Sequence, residues 1–307
     1  MNKTVTKRKK KNEYTLFLFT IPALLYILIN NYIPMAGIFI AFKDLDFSKG
    51  IFKSDWCGFQ NFQFLFKTKD AVIMTRNTVL YNLFFIVIGT VGAVLLAVLL
   101  SEITNKICSK IFMGSLILPN CISMVIISYI VYAFLSADSG LINHSILEGL
   151  GKEPVSWYME AKYWPVILSI VYIWKNVGYS SIVYVAAIAG IDKGIYEAAR
   201  IDGASKLKQI VYIKVPMLKS TVVMMTLLAI GRIMSSDFGL FYQVPMNSGA
   251  LYGTTQTIDT YVYRALMQMQ DFGMSSAAGL YQSVVGFVLV LVCNYIVKKL
   301  SPEDSLF

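Results

Sequence analysis

The segment 77–100 reads NTVLYNLFFIVIGTVGAVLLAVLL and carries no charged side chain. A helix that crosses the hydrocarbon core of a bilayer needs about 20 predominantly apolar residues. This segment therefore predicts a transmembrane helix, and five further stretches of the same character follow or precede it. The six predicted spans are 16–42, 77–100, 111–136, 165–190, 217–236 and 277–297.

The composition supports the same class. Of the 307 residues, 56% are hydrophobic and 15% are charged, and the mean hydropathy is +0.61. A soluble globular domain has about 45–50% apolar and about 25% charged residues. The chain therefore has too little charge to cover a surface that faces water. We predict an all-α membrane protein with six transmembrane helices and exclude a soluble protein.

The charges outside the spans predict the orientation of the chain. With the N-terminus in the cytoplasm, the inner segments hold 16 Lys and Arg and 7 acidic residues, whereas the outer segments hold 9 and 11. Positive charge concentrates on the cytoplasmic side of membrane proteins. We therefore predict two cytoplasmic tails, 1–15 and 301–307, around a permease domain 16–300. The basic run KRKKK at 7–11 indicates an anchor near anionic lipid in preference to a nucleic-acid contact.

Several chemistries lack the residues they need. The six predicted spans contain no Asp or Glu, whereas an ion-driven transporter normally places a carboxylate near the middle of the membrane. One His and four scattered Cys give no metal-binding spacing, and no GxxxxGK[ST] loop is present to hold a nucleotide phosphate. We predict no catalytic residue, no metal and no cofactor bound by this chain. Any uphill transport would need energy from another polypeptide.

The loop 191–216, between the fourth and fifth spans, is predicted to be cytoplasmic. Ala198 and Ala199 permit close helix contact, and Gly203 permits a sharp break after a short helix because glycine accepts left-handed backbone angles. The pattern predicts a helix–turn–helix suited to docking on a soluble partner. An amphipathic connector without a partner explains the residues equally well.

A longer pattern in this loop resembles a known signature. Glu-Ala-Ala, three residues, Gly, nine residues and Ile-x-x-Pro is typical of the membrane subunits of binding-protein-dependent ABC importers. The chain is similar to the carbohydrate branch, with its polysaccharide-type and maltose-type permeases, but it lacks the extra N-terminal spans and the large periplasmic insertion of the larger maltose subunit. The matching residues are Glu197, Ala198, Ala199, Asp202, Gly203, Ala204, Ile213 and Pro216.

The resemblance implies a type I ABC importer-like bundle in a bacterial cytoplasmic membrane. It implies a coupling helix around 196–207 that seats in a cleft of an ATPase. The implied partners are a second homologous permease subunit, two ABC ATPase subunits, an extracytoplasmic solute-binding protein and a sugar, and the ATPase would use the ATP and Mg²⁺. From the residues alone, a stand-alone secondary transporter or channel remains the alternative.

The fourth and fifth spans hold the candidates for a substrate path, since sugars are bound by aromatic faces and by a few aimed polar groups. The resemblance places Trp174 and Tyr179 where a related subunit has sugar-contacting aromatics. Aromatic residues in membrane helices also pack together or line the interface, and this alternative stays open. The candidates are Tyr172, Trp174, Lys175, Asn176, Tyr179, Arg232 and Ser236.

Lys175 and Arg232 carry charge within predicted spans, which is energetically costly. We expect each to face water, to pair with Asp237 or with a partner's carboxylate, or to meet an acidic oligosaccharide. Snorkelling of the side chain to the membrane interface is the alternative.

Two predicted outer segments contain aromatic residues. The segment 43–76 includes WCGFQNF at 56–62, which favours a short interfacial helix, and the segment 237–276 favours a structured gate or cap. A simple connecting loop is an equal alternative for each.

Overall fold

A computed structural model describes residues 17–305 of the chain. The predicted basic tail 1–15 and residues 306 and 307 of the C-terminal tail lie outside the described residues. Within the described part, the chain is helical apart from turns and one small antiparallel sheet. Its strands are β1 (Lys43–Asp44) and β2 (Asp55–Trp56). The prediction of an all-α architecture is confirmed.

Ten principal helices make up the structure, and short helical turns join them. Four of them, α1, α2, α5 and α10, are long and apolar enough to cross a membrane singly, and two bent pairs, α3–α4 and α7–α8, qualify when each pair is taken together. The described residues thus give four to six spans, and the count of six stays a prediction. The helices are α1 (Phe17–Phe42), α2 (Lys69–Ser101), α3 (Lys106–Cys121), α4 (Met124–Leu135), α5 (Trp164–Ala189), α6 (Lys193–Ile201), α7 (Lys206–Met217), α8 (Lys219–Ile230), α9 (Ile258–Met269) and α10 (Phe272–Leu300).

The third predicted span, 111–136, is not one straight helix. α3 ends at Cys121, α4 begins at Met124, and the two axes differ by 94°. Pro119 stands in the last turn of α3, and Ser123 adopts an extended backbone and accepts the N–H of Ile126 (3.4 Å) as an N-cap. Local residues therefore both end the first helix and start the second.

The fifth predicted span, 217–236, also differs. The chain bends by 48° between α7 and α8, and α8 ends at Ile230. In the unwound segment 231–236, Asn82 donates to two carbonyls at 2.9 Å each, and Gln282 donates to a third at 2.7 Å. Backbone groups freed inside a membrane need such partners, because water is absent there.

The centre of the structure is the long contact between α2 and α5. One buried cluster includes Phe85, Trp164 and Leu168, and a second, nearer the C-terminal end of both helices, includes Ala97 and Tyr184. The small side chains of α2 allow close packing of the two helices. This contact fixes the position of α5, which carries five of the substrate-path candidates.

α1 contributes little to this packing. None of the residues from Phe17 to Ile40 is buried, and the first buried residue of the described chain is Ala41. Burial begins where the chain enters the segment that holds β1 and β2. The side chains from Phe17 to Met35 are therefore available to lipid or to another subunit.

The two predicted outer segments are both structured. The segment 43–76 contains the β1–β2 pair and three short helical segments, Gly50–Lys53, Gln60–Phe62 and Phe64–Lys67, and α2 begins at Lys69. That one of them lies at the membrane interface stays a prediction. Thr68 caps α2 by accepting the N–H of Ala71 (3.0 Å), so the helix extends eight residues beyond the apolar stretch. In 237–276, α9 and several helical turns give a folded segment in place of a simple connecting loop. Its role as a gate or cap stays a prediction.

Candidate functional site

The segment 191–216 folds into a short helix, a turn and a second helix. α6 starts after Asp192, whose carboxylate accepts the N–H of Gly194 (2.8 Å). Gly203 ends the turn with φ +76°, and the N–H of Ala204 returns to the carbonyl of Ala199 (2.8 Å). This is the glycine-terminated helix end that the sequence predicts. The residues 196–207 therefore comprise the end of α6, the turn and the start of α7, not one continuous helix.

The side chains of this segment point largely outward. Glu197, Ala198, Asp202 and Gly203 are exposed, and Ala199 and Ala204 are half-buried. Beside them, the apolar side chains of Ile201 and Leu207 are 86% and 70% exposed. Apolar side chains that stand among charged ones at a surface are typical of a contact site for another protein.

A buried cation connects this segment to α2. Lys214 in α7 is 7% exposed, and its ammonium forms an ion pair with Glu102 and donates to Ser101 Oγ at 2.8 Å. The same ammonium lies 5.8 Å from the centre of the Tyr196 ring in α6. The helices α6 and α7 are thereby joined to the C-terminal end of α2.

Tyr196 completes this junction. Its hydroxyl is buried and has no hydrogen-bond partner among residues 17–305. Burial raises the pKa of Tyr196, and the negative charge of Glu102 raises it further. The hydroxyl therefore stays protonated. The sequence gives no local pattern for this junction, because Glu102 and Lys214 are 112 residues apart.

Of the aromatic candidates on α5, two are exposed and one is packed. Trp174 and Tyr179 are about half exposed. Tyr172 instead stacks on Phe85 of α2, with ring centres 3.9 Å apart and planes 4° apart. Asn176 donates to the carbonyl of Tyr172 in its own helix (3.2 Å). The structure thus leaves Trp174 and Tyr179 accessible and holds Tyr172 between the helices.

Lys175 lies between these aromatics but points into the protein. It is 8% exposed, and its ammonium donates to the carbonyls of Ile122 (2.5 Å), Asn120 (3.2 Å) and Pro119 (3.4 Å). These carbonyls belong to the end of α3, where the helix dipole favours a positive charge. Its charge therefore meets a helix end, which none of the expected alternatives included.

Of the two candidates after α8, one is exposed and the other is bonded to protein. Arg232 is exposed in the turn that follows the helix. Ser236 is held by Asp259 of α9, whose Oδ2 accepts the Ser236 N–H (2.6 Å) and hydroxyl (2.8 Å). The other oxygen of Asp259 accepts from Gln282 of α10 (3.2 Å). Asp259 was not a sequence candidate, because it lies outside the predicted spans, in the segment 237–276.

Residues 17–305 contain no group of three His, Cys, Asp or Glu placed to hold a metal ion.

Comparison with known proteins identifies the family. Residues 67–302 match the model of the binding-protein-dependent transport system inner membrane components. The chain belongs to this family. Proteins of this family are multi-pass membrane subunits of transport systems, and the predictions of a membrane-embedded, non-catalytic subunit of an ABC importer are confirmed.

Relatives of known description extend the comparison. The polygalacturonan/rhamnogalacturonan transport system permease protein YteP of Bacillus subtilis is 32% identical over 288 residues, which are 94% of this chain and 89% of that one. A bacterial ABC transporter involved in the import of the acidic polysaccharide alginate has a chain that is 29% identical, with a TM-score of 0.84 over 96% of this chain and 99% of that one.

The structure of a bacterial alginate ABC transporter in complex with an alginate pentasaccharide-bound periplasmic protein also matches. Its chain is 28% identical, with a TM-score of 0.83 over 96% of this chain and 97% of that one. The fold of this inner membrane component is thus that of ABC importer permeases.

Proposed function

We propose that this chain is the membrane-spanning subunit of an ATP-driven importer and forms half of the path for an acidic oligosaccharide. The observation that carries the proposal is the exposed helix α6, with Glu197 on its surface and the left-handed Gly203 at its end, in a chain of this transport family. The relatives that handle polygalacturonan and alginate support a uronate-containing substrate.

In this proposal α6 is the coupling helix, and it docks in a cleft of a separate ATPase. Glu197, Ala198 and Asp202 would face the ATPase, with Glu197 supplying a charge-assisted contact. Closure of two ATPase subunits on ATP would move α6 as a rigid body. Lys214 and Glu102 would pass that motion to α2, so that the bundle shifts between inward-facing and outward-facing populations.

The proposal includes the partners and the orientation. A second homologous permease subunit would complete the path, and the uncovered α1 supports such an assembly. A solute-binding protein would deliver the sugar at the opposite side from α6, as the complex with a periplasmic protein supports. The loop 191–216 and both tails of the domain 16–300 would lie in the cytoplasm, according to the distribution of Lys and Arg.

The substrate path in this proposal uses the accessible side chains of α5 and the turn after α8. Trp174 and Tyr179 would stack on sugar faces, and the exposed Arg232 would meet a carboxylate. Tyr172, Lys175, Asn176 and Ser236 would hold the walls of the path, because their polar groups or rings already contact protein.

The assembled transporter in proteoliposomes tests this function. We expect ATP-driven uptake of oligogalacturonides, with wild-type membrane insertion but no uptake in Glu197→Lys and Gly203→Val. A Cβ at Gly203 would meet no atom of this chain within 4 Å, so Gly203→Val strains the left-handed backbone without a clash at Cβ inside the subunit. Lys208→Gln, an exposed change in α7, is the matched control.

Normal uptake in both variants would remove the coupling assignment. Uptake that follows an ion gradient and proceeds without an ATPase would refute the assignment of the chain to an ATP-driven importer. For the acidic substrate, Arg232→Gln should lower the preference for a uronate oligomer over a neutral one of equal length, and an unchanged preference would count against that role.

A further inference from the structure

A crevice separates α9 from the N-terminal part of α2, at the end of the molecule opposite to α6. It encloses a volume of about 240 Å³. Aromatic, amide and charged side chains share its wall. The lining residues are Asp70, Ile73, Tyr252, Gly253, Gln256, Tyr261, Arg264, Ala265 and Gln268.

Gln256 is fixed at the base of this crevice and is 4% exposed. Its backbone groups are both engaged, since its N–H donates to the carbonyl of Tyr252 (3.1 Å) and its carbonyl accepts from the amide of Asn77 (2.9 Å). Its side-chain Nε2 is buried and has no hydrogen-bond partner in the described part of the chain. A buried donor without a partner is costly, and a ligand that accepts from it recovers that cost.

Arg264 presents a second free donor. Its guanidinium lies 4.0 Å above the centre of the Tyr252 ring, and Nη1 donates to Oδ1 of Asn247 (3.2 Å). The hydroxyl of Tyr252 donates to the same oxygen (3.1 Å), so the guanidinium plane is held in place. Its Nη2 is buried and has no partner within residues 17–305. One prong of the guanidinium fork is thus occupied and the other is free.

The two free donors define the chemistry of the ligand. Both are N–H groups of residues that line one crevice, and one belongs to a guanidinium, which matches a carboxylate in geometry and charge. The rings of Tyr252 and Tyr261 offer flat apolar faces beside them. Asp70 on the exposed rim offers an acceptor for hydroxyl groups and repels an anion from that end. A sugar ring that carries one carboxylate and several hydroxyls satisfies all of these groups.

We propose that the crevice between α2 and α9 binds a uronate unit of the transported oligosaccharide, with Arg264 and Gln256 donating to its carboxylate. This inference rests on the proposed function and adds a recognition site that is separate from Trp174, Tyr179 and Arg232. The site would bind the acidic end of the oligosaccharide before the oligosaccharide reaches α5.

The decisive variant is Gln256→Met in the assembled transporter with its binding protein and ATPases. Methionine has a similar shape and removes a buried donor that has no protein partner, so the thermal unfolding midpoint should not fall. If the amide binds the carboxylate, the KM for trigalacturonate uptake should rise about tenfold, as expected for the loss of a hydrogen bond to a charged group. The KM for galactotriose should not change.

Arg264→Lys and Gln60→Met complete the series. Arg264→Lys keeps the positive charge but loses the paired N–H donors of the guanidinium. The KM for trigalacturonate should therefore rise, while galactotriose uptake stays the same. Gln60 is exposed and lies outside the crevice, and Gln60→Met should leave both uptakes unchanged.

An unchanged trigalacturonate KM in Gln256→Met would overturn the site, and so would an equal rise in KM for both sugars. If the wild-type transporter imports neither sugar with ATP, the proposed function fails. If the wild type imports trigalacturonate and Gln256→Met does so equally well, only the crevice assignment fails.

Discussion

The ammonium of Lys175 lies 2.5 Å from the carbonyl oxygen of Ile122, at the point where α3 ends and the chain turns through 94° into α4. A charge inside a span and a break in a neighbouring helix are each costly in a membrane. Here the ammonium donates to the free carbonyls at the helix end, and those carbonyls solvate its charge. Lys43 shows the same arrangement, since its ammonium binds the carbonyls that end the turn Gly50–Lys53.

Lys175→Met should destabilise the protein, because it leaves the carbonyls at the end of α3 without a donor. We expect a loss of roughly 1–3 kcal/mol in unfolding free energy, seen as a lower thermal midpoint, together with reduced uptake. Lys152→Met, in an exposed loop, should change neither. An unaltered midpoint in Lys175→Met would show that the cap contributes nothing.

Gly178 places α5 against the backbone of α3, and a Cβ there would lie 2.1 Å from the carbonyl oxygen of Leu116. Gly178→Ala should therefore force the helices apart and cost about 1–3 kcal/mol. Gly279→Ala is the matched change on α10, where a Cβ meets nothing within 4 Å, and it should stabilise the helix by roughly 0.5–1 kcal/mol. Thermal unfolding of the two variants compares them directly, and equal midpoints would contradict the close approach.

Lys214→Met should weaken the link between α7 and α2, because it leaves Glu102 without its ionic partner. Since the Glu102 side chain is 31% exposed, we expect a loss of about 1–3 kcal/mol, less than for a fully buried pair. Substrate-stimulated ATP hydrolysis and uptake should fall together. The double variant Glu102→Lys with Lys214→Glu should recover part of both, and a double variant no better than either single change would refute the pairing.

Trp174→Ala and Tyr172→Ala should separate the path from the scaffold on α5. Trp174 is 44% exposed, so its removal should reduce uptake and lower the thermal midpoint less than the removal of Tyr172 does. Tyr172 is half-buried and stacked on Phe85, so its removal should cost about 2 kcal/mol of stability. Measuring both properties for both variants decides the matter, and a large stability loss in Trp174→Ala would assign it to packing.

Hydropathy was sufficient to predict the fold class, since about 20 apolar residues in a row have few alternatives to a membrane helix. The turn at Gly203 was also predictable, because one residue type at one place carries it. The hydrogen-bond partners of Lys175 were not predictable, because they lie more than 50 residues away in the sequence. Separation in sequence also hid the contacts of Asp259, whose partners are 23 residues away, and of Lys214, whose partner Glu102 is 112 residues away.

Lys175 and Gly178 lie between Trp174 and Tyr179 in the sequence of α5, and the first two are buried whereas the other two are about half exposed. Substitutions at 174 and 179 are therefore open to natural variation without loss of the fold. In the proposed path, a change of these two side chains would alter the contacts with the sugar, while the residues between them preserve the architecture. Adaptability and robustness thus belong to neighbouring positions of a single helix.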